Sequence, residues 1–381
     1  MKKDFLQWVE IDSFALKHNI QQFRNLIGPK RKMTVVVKSN SYGHGLIEIS
    51  KLAARYGADW LGVNSLDEAL ILKKNGISLT IILLGYVPLS ELRTAVENNF
   101  RLTVYNEETI KKLGEITSVV KKNAYLHIKT ETGVYRQGID RDKLLSLIRK
   151  IQEYPYLKIE GLSTHFANIE DTIDHSYAQS QLEKYNQYID ILKKNNIEIP
   201  IKHTACSAAA ILFPETYFDM VRVGIGIYGL WPSRETYLSC IQARKKPIEL
   251  KPVLSWKARI VQIKEIPEDA FIGYGCTFKT TRPTILAVIP VGYNDGYDRG
   301  LSNSSYVLVN GKRAPLRGRV AMNFITADIT DIPAVKLEDE VALLGRQGRE
   351  KITADYLASL CGTINYEIVT RINPIIPRIV K

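Results

Sequence analysis

The sequence predicts an α/β protein, an N-terminal (β/α)8 barrel of the TIM type followed by a mainly β domain. Two observations carry this. Up to about residue 225, eight apolar runs alternate with amphipathic stretches, the rhythm of parallel βαβ units. Near residue 240 that rhythm stops, and closely spaced alternating runs separated by turn residues take over.

The elements can be placed in order. Strands are expected at 33–38, 60–64, 79–84, 101–104, 124–129, 157–164, 201–204 and 219–223. Amphipathic stretches near 46–56, 66–75, 88–98, 107–116, 141–152, 174–196 and 207–212 fall between them. Parallel neighbours need such crossovers, and eight strands suggest a closed barrel rather than an open sheet. Beyond residue 240, Val253 to Ile266 alternates as a strand, and 284–290, 305–309, 315–320, 324–329 and 340–344 follow. Asn310-Gly311 between apolar runs signals a hairpin, because both residues tolerate the positive φ of a two-residue turn. A helix is expected near 353–361, with Thr353 as N-cap and Gly362 as its stop. Residues 1–10 read as a lone strand able to join the second domain. The expected domains are 11–240 and 241–381, the latter with strand 1–10.

Composition narrows the function classes. Hydrophobic residues make up 45% and charged residues 24%, ordinary for a soluble chain with a large core. No run is long enough to span a bilayer. After Met1-Lys2-Lys3, the polar Asp4, Gln7 and Glu10 interrupt the apolar core a signal peptide needs. Cys206, Cys240, Cys276 and Cys361 form no CxxC pair and match no metal-ligand spacing. A reducing, cytoplasmic location is therefore expected, with no disulfide framework, no metal and no membrane association. The net charge of +12 invites a nucleic-acid reading. The basic residues are spread among acids on amphipathic stretches, however, and no nucleic-acid motif is present. A solvated basic surface is the better reading, part of it favouring an anionic cofactor and a carboxylate substrate.

The most informative segment is Thr34 to Gly45, TVVVKSNSYGHG. An apolar run ends in Lys38, a loop of small residues follows, and an amphipathic stretch begins near Leu46. This delivers an amine to the C-terminal mouth of a buried strand. Desolvation disfavours its charged form, and such a lysine can form a Schiff base with a carbonyl. Other reactive groups fall at the same mouth. Lys129 ends the fifth expected strand, His165 the sixth, and His203 and Ser207 lie at the end of the seventh. Arg222, Gly224 and Ile225 accompany the eighth. Barrel enzymes keep their sites at this mouth and commonly hold phosphate with the last two loops. Ser207 and Gly224-Ile225-Gly226 lie in those loops, where small residues let backbone N–H groups approach phosphate oxygens. Each residue alone also fits a structural role, as a capping serine, a turn glycine or a core histidine. Their joint placement favours a site.

With these residues in view, the chain resembles the alanine racemases along nearly its whole length. VVVKSNSYGHG is similar to that family's cofactor-lysine segment, with Ser39 and Ser41 in place of the commoner alanines. Trp8 to Asp12 with His18-Asn19 resembles the family's opening. The resemblance implies pyridoxal 5′-phosphate (PLP) on Lys38, and phosphate contacts from Tyr42, Ser207, Gly224, Ile225 and Tyr366. It implies Arg222 at the pyridine nitrogen, a carbamylated Lys129, a substrate-facing Arg136, and a catalytic Tyr274 in Gly273-Tyr274-Gly275. Tyr293 and Met322 match segments of the substrate pocket. Five positions depart from the family's pattern. Glu131, Val134 and Tyr135 surround Lys129 where Asp and Met-Gly are common, Cys206 stands where asparagine is usual, and Asn323 replaces an aspartate.

The chemistry suits these residue types. PLP delocalises the charge left when an amino acid loses its α-proton, and racemisation needs one base on each face of the planar intermediate. Lys38 can serve one face. A tyrosine can serve the other when its pKa near 10 is lowered by nearby positive charge or hydrogen bonds, for which His165 and Arg222 are candidates. Arginine keeps its protons, so a pyridine nitrogen beside Arg222 stays unprotonated, which discourages side reactions. The expectation is an alanine racemase that works as a head-to-tail homodimer with shared sites and supplies D-alanine for peptidoglycan. The rivals are a racemase of serine or several small amino acids, a barrel decarboxylase of diamino acids, and a non-catalytic PLP-binding homeostasis protein.

Overall fold

The computed structural model describes residues 5–243 and 248–381. The first four residues of the strand expected at 1–10 lie outside the described residues; its observed part is β1 (Gln7–Ile11). The chain forms two compact units. One comprises Leu16–Ser39 and Ile49–Lys251; the other comprises residues up to Ala15, Asn40–Glu48 and Pro252–Lys381.

The first unit is a nearly closed barrel. Its strands are β2 (Lys32–Val36), β3 (Trp60–Val63), β4 (Thr80–Leu83), β5 (Arg101–Val104), β6 (Ala124–Lys129), β7 (Leu157–Ser163), β8 (Ile201–His203) and β9 (Met220–Val223). Each pairs in parallel with the next from β2 to β8, and β2 also pairs with β9. Two backbone hydrogen bonds link the remaining edges, Asp219 N–H to the Lys202 carbonyl and Arg222 N–H to the Ala205 carbonyl, each 3.0 Å. Trp60, Ile82, Ile201 and Met220 form a core cluster with Leu84 packed against it, so the lower barrel is filled by side chains. Burial of such residues stabilises by roughly 1.5–3 kcal/mol each.

All the amphipathic stretches contain helix, and two of these helices have side-chain caps at their starts. Ser65 and Glu68 form a reciprocal capping box before Leu66–Lys74, and the Asn106 side chain accepts from Thr109 N–H before Glu107–Val120. Two further helices, Ser13–Ile27 and Arg234–Gln242, were not among the expected elements.

The second unit is mainly β. Its strands are β1, β10 (Leu254–Arg259), β11 (Gln262–Ile266), β12 (Phe271–Ile272), β13 (Phe278–Lys279), β14 (Thr284–Ile289), β15 (Tyr306–Val309), β16 (Lys312–Pro315), β17 (Ile325–Asp328), β18 (Glu340–Gln347), β19 (Glu350–Ile352) and β20 (Arg378–Val380). The largest sheet runs β16-β15-β18-β10-β1-β20, with β19 paired to β18. β11, β14 and β17 form a second sheet, and β12 and β13 a hairpin. Two expectations are corrected here. The run Val253 to Ile266 is two strands in different sheets. The strand expected at 315–320 lies at Lys312–Pro315, because the tight turn at Asn310-Gly311 pairs Val309 directly with Lys312. Asn310 and Gly311 both take positive φ, 48° and 72°. The helix Ala354–Cys361 has the expected Thr353 cap and left-handed Gly362 stop.

Candidate active site

Strand β2 ends at Val36, and Lys38 opens a helical turn rather than closing the strand. Ser39, Asn40, Ser41 and Tyr42 all have φ between 53° and 55°, a single left-handed turn built without glycine. The chain entering it is anchored within the barrel. Val37 N–H donates to the Gly62 carbonyl at 2.8 Å, and the Tyr228 hydroxyl donates to the Val36 carbonyl at 2.7 Å. Ser39 N–H donates to Glu68 Oε1 at 2.5 Å, so the carboxylate of the capping box before Leu66–Lys74 also fixes the residue after Lys38. The amine is thus presented from a backbone held on both sides.

Around it the barrel mouth is cationic. Burial pushes the Lys38 pKa down, helped by the Arg136 guanidinium. Lys129, at the end of β6, is pushed down to about 8 by burial and by Arg222 and Arg136. His165 is driven well below the usual imidazole value by burial and the same cations, Arg222 foremost, so it is neutral at physiological pH. The nearby acids do little to offset this charge. Glu131 Oε1 accepts Gly133 N–H at 2.6 Å and Val134 N–H at 2.9 Å, and Glu68 is committed to its cap and to Ser39. Such a cluster suits anions.

Arg222 is buried, at 7% exposure. Its guanidinium donates to the carbonyls of His203 (3.0 Å), Thr164 (2.7 Å) and Thr204 (3.0 Å), and to His203 Nδ1. Next to it, Ser207 begins the helix Ser207–Leu212, and its hydroxyl oxygen accepts Gly224 N–H (3.0 Å) and Gly226 N–H (3.3 Å). The last two barrel loops are therefore joined at Ser207. Cys206, at the cap position, makes no side-chain cap bond, and burial pushes its thiol up to about 12.

The remaining expected residues lie in the second unit. Tyr42 and Tyr366 face one another, with ring centroids 6.0 Å apart. Arg378 holds this segment by donating to the Gly43 carbonyl at 2.8 Å. Tyr274, Tyr293, Met322 and Asn323 line one concavity of about 610 Å³, together with Arg299 and Arg319. Its two rims are clipped together by Tyr293 N–H to the Ala321 carbonyl and Asn294 N–H to the Met322 carbonyl, both 3.0 Å. A Cβ at Gly292 would collide with those carbonyls, which explains the glycine. Tyr274 projects from the turn between β12 and β13 and is 77% exposed.

Comparison with known proteins decides the family. Sequence models of the alanine racemase N-terminal and C-terminal domains match residues 11–232 and 253–380. The chain belongs to the alanine racemase family. It is 39% identical to an alanine racemase of Leptospira interrogans, over 100% of this chain and 97% of the relative. It is 42% identical to one of Halothermothrix orenii, over 97% and 96%. Among solved structures, the Clostridium difficile 630 alanine racemase superposes with a TM-score of 0.92 at 32% identity, covering 100% of this chain and 97% of that one. The Bacillus anthracis alanine racemase with bound L-Ala-P gives 0.92 at 35%, covering 100% and 96%.

Three residues connected to Arg222 escaped the sequence reading. His127, Glu160 and Arg101 form a hydrogen-bonded series that continues from His203. The available signal was charge inside strands, a histidine in AYLHIK and a glutamate in LKIEGLS.

Proposed function

We propose that this alanine racemase family member interconverts L-alanine and D-alanine with PLP, using Lys38 and Tyr274 as opposed bases. The observation that carries the reading is the Lys38 amine, lowered in pKa, set among Lys129, Arg136 and Arg222 while the nearby acids are tied to backbone N–H groups. That donor set fits a phosphorylated aldehyde and a carboxylate substrate. Lys38 would hold the aldehyde carbon, and Arg222 with His165 the ring. Ser207, Gly224, Ile225, Tyr42 and Tyr366 would hold the phosphate. PLP supplies a conjugated ring that takes up the electron pair released at the substrate α-carbon.

The rest is work for the chain's own residues. Neutral Lys38 would take the α-proton from one face while the Tyr274 hydroxyl delivers a proton to the other, and the reverse direction would use the two groups in exchanged roles. In this reading Lys38 acts on D-alanine and Tyr274 on L-alanine. Arg222 keeps its protons at physiological pH, so it would hold the ring nitrogen as a hydrogen-bond donor only. Arg136 orients the substrate carboxylate, and a carbamate on Lys129 would in turn hold Arg136. Tyr293 and Met322 limit the side chain that fits. Tyr274 is exposed beside exposed Phe271, Met322 and Phe324, which supports a head-to-tail homodimer in which each Tyr274 serves the other copy's barrel. The barrel domain 11–240 then carries cofactor chemistry, and 241–381 with strand 1–10 carries the second base. A cytoplasmic enzyme feeding D-alanine to peptidoglycan is the cellular role that follows.

Asn323 in place of the family's aspartate favours testing a wider substrate range, serine first. A panel of L-amino acids with added PLP, scored for the D-enantiomer, tests all of this. Alanine alone supports the reading; several small amino acids would replace it with a broad racemase; no product would defeat it.

A further inference from the structure

The barrel interior contains a buried polar series that no other part of the fold requires. From Arg222, His203 Nε2 lies 2.8 Å from His127 Nδ1, and His127 Nε2 lies 3.2 Å from Glu160 Oε2. Glu160 is gripped by Arg101, whose Nε and Nη2 approach its two oxygens at 3.0 and 3.2 Å. His127 and His203 are both almost fully buried. Trp60 packs edge-on against His127, and Arg101 sits over the rings of Trp60 and Tyr125.

Only one arrangement of protons satisfies this series. Arginine can only donate, so His203 Nδ1 must be bare. A neutral His203 then carries its proton on Nε2 and donates to His127, whose Nδ1 must also be bare. His127 carries its proton on Nε2 and donates to Glu160, which as a carboxylate can only accept. Both ends dictate the same direction. Burial, and the charge of Arg222 for His203, keep the imidazoles neutral.

Two local features exist to make this possible. Leu126 pairs with Ile159 but His127 pairs with Gly161, so Glu160 is the extra residue of a β-bulge in β7. Bulges re-aim a side chain, and here the one re-aimed carries the carboxylate. A Cβ on Gly161 would collide with His127 Nδ1. A bulge and a glycine at consecutive positions, both serving one imidazole, mark a built arrangement.

We propose that Glu160, pinned by Arg101, acts as a positioning residue that fixes the tautomers of His127 and His203, and through them the donor geometry of Arg222 at the cofactor ring. The inference rests on the PLP reading for its purpose but not for its test. In holoenzyme carrying ¹⁵N-labelled histidine, long-range ¹H–¹⁵N correlation should show His127 and His203 as neutral imidazoles with bare Nδ1 at neutral pH. A protonated Nδ1 on either ring overturns the relay, whether or not the chain racemises anything. Glu160→Gln can turn an amide N–H toward His127; the reversed order then requires His203 Nδ1 to carry a proton and stop accepting from Arg222, so a protonated His127 Nδ1 should appear together with loss of the Arg222–His203 Nδ1 bond. The kcat for alanine should then fall about five-fold or more with KM within about two-fold, because no residue of the series is placed against substrate. Glu160→Asp should retain the original tautomers and most of kcat. A reversed tautomer with unchanged kcat would show that the series does not govern Arg222. If Glu160→Gln fails to fold, the wild-type tautomers still decide the proton order.

Discussion

The barrel mouth and the concavity of the β unit hold the two groups assigned to proton transfer in opposite ways. Lys38 is half-buried, its flanking backbone is bonded on both sides, and its pKa is already displaced. Tyr274 stands 77% exposed on a two-glycine turn. One group is preorganised by its own unit, while the other stands on a turn between two glycines in an open environment. The contrast teaches that the barrel presents its amine among bonded, buried neighbours, while Tyr274 is presented to solvent.

The sharpest way to break that contrast is Lys38→Ala, which should lower racemisation by at least about 10³-fold, the scale of a lost acid–base group. Borohydride should fix the cofactor to the peptide containing Lys38 in the unmodified protein. Labelling of Lys129 instead would overturn the assignment. Next comes Tyr274→Phe, expected to cost about 10²-fold or more. In heavy water it should suppress α-proton exchange of L-alanine more than of D-alanine. Mixing it with Lys38→Ala protein should restore part of the activity, since one site of a mixed dimer is intact. No restoration despite proven mixing would remove the shared-site geometry.

Lys129 sharpens the comparison through pH. Its amine, at about 8, is mostly protonated below that value, and only the neutral form can take up CO2 and release a proton. At fixed dissolved CO2, carbamate occupancy should therefore rise from pH 6.5 to 8.5, read by ¹³C NMR of labelled carbonate. Occupancy that is flat over this range would mean that Lys129 stays an amine. A smaller effect is expected at Tyr366, whose ring packs 6.0 Å from that of Tyr42; its replacement by Asn would open space there and should raise the ratio of serine to alanine activity by about ten-fold. The smallest is Thr353→Ala, which removes the cap on Tyr356 N–H (3.1 Å) and should cost about 1 kcal/mol of stability with activity unchanged.

Sequence patterns carried the barrel because strands such as β3, β4 and β9 are short, mostly buried apolar runs, and such runs survive errors in their ends. They also carried the Asn310-Gly311 hairpin, where two residues determine the register. The helix Ser13–Ile27 was missed because polar residues interrupt its apolar face. Asn365–Thr370, which carries Tyr366, was missed because it is barely more than one turn. Lys129, His203 and Arg222 stand at or near the strand ends where the sequence put them, since strand ends are legible. Lys38 does not close its strand, because Ser, Asn and Tyr in a left-handed turn are dictated by tertiary contacts rather than by local preference. Glu160 was invisible for a related reason. A bulge breaks the period of two by which a strand's inward face is read.

The left-handed turn has a consequence for how the molecule could be divided. Four non-glycine residues there sit in a conformation that costs roughly 1–2 kcal/mol each, so outside bonds must hold it. Those from Asn40 onward lie in the β unit. The Asn40 side chain accepts Leu46 N–H at 2.8 Å, Arg378 grips Gly43, and a Cβ at Gly43 would strike the Val369 carbonyl. A fragment cut at residue 240 would keep every barrel strand and the amine of Lys38, yet lose Arg378 and Val369. It should fold into a barrel whose reactive lysine is followed by a relaxed, right-handed or disordered turn.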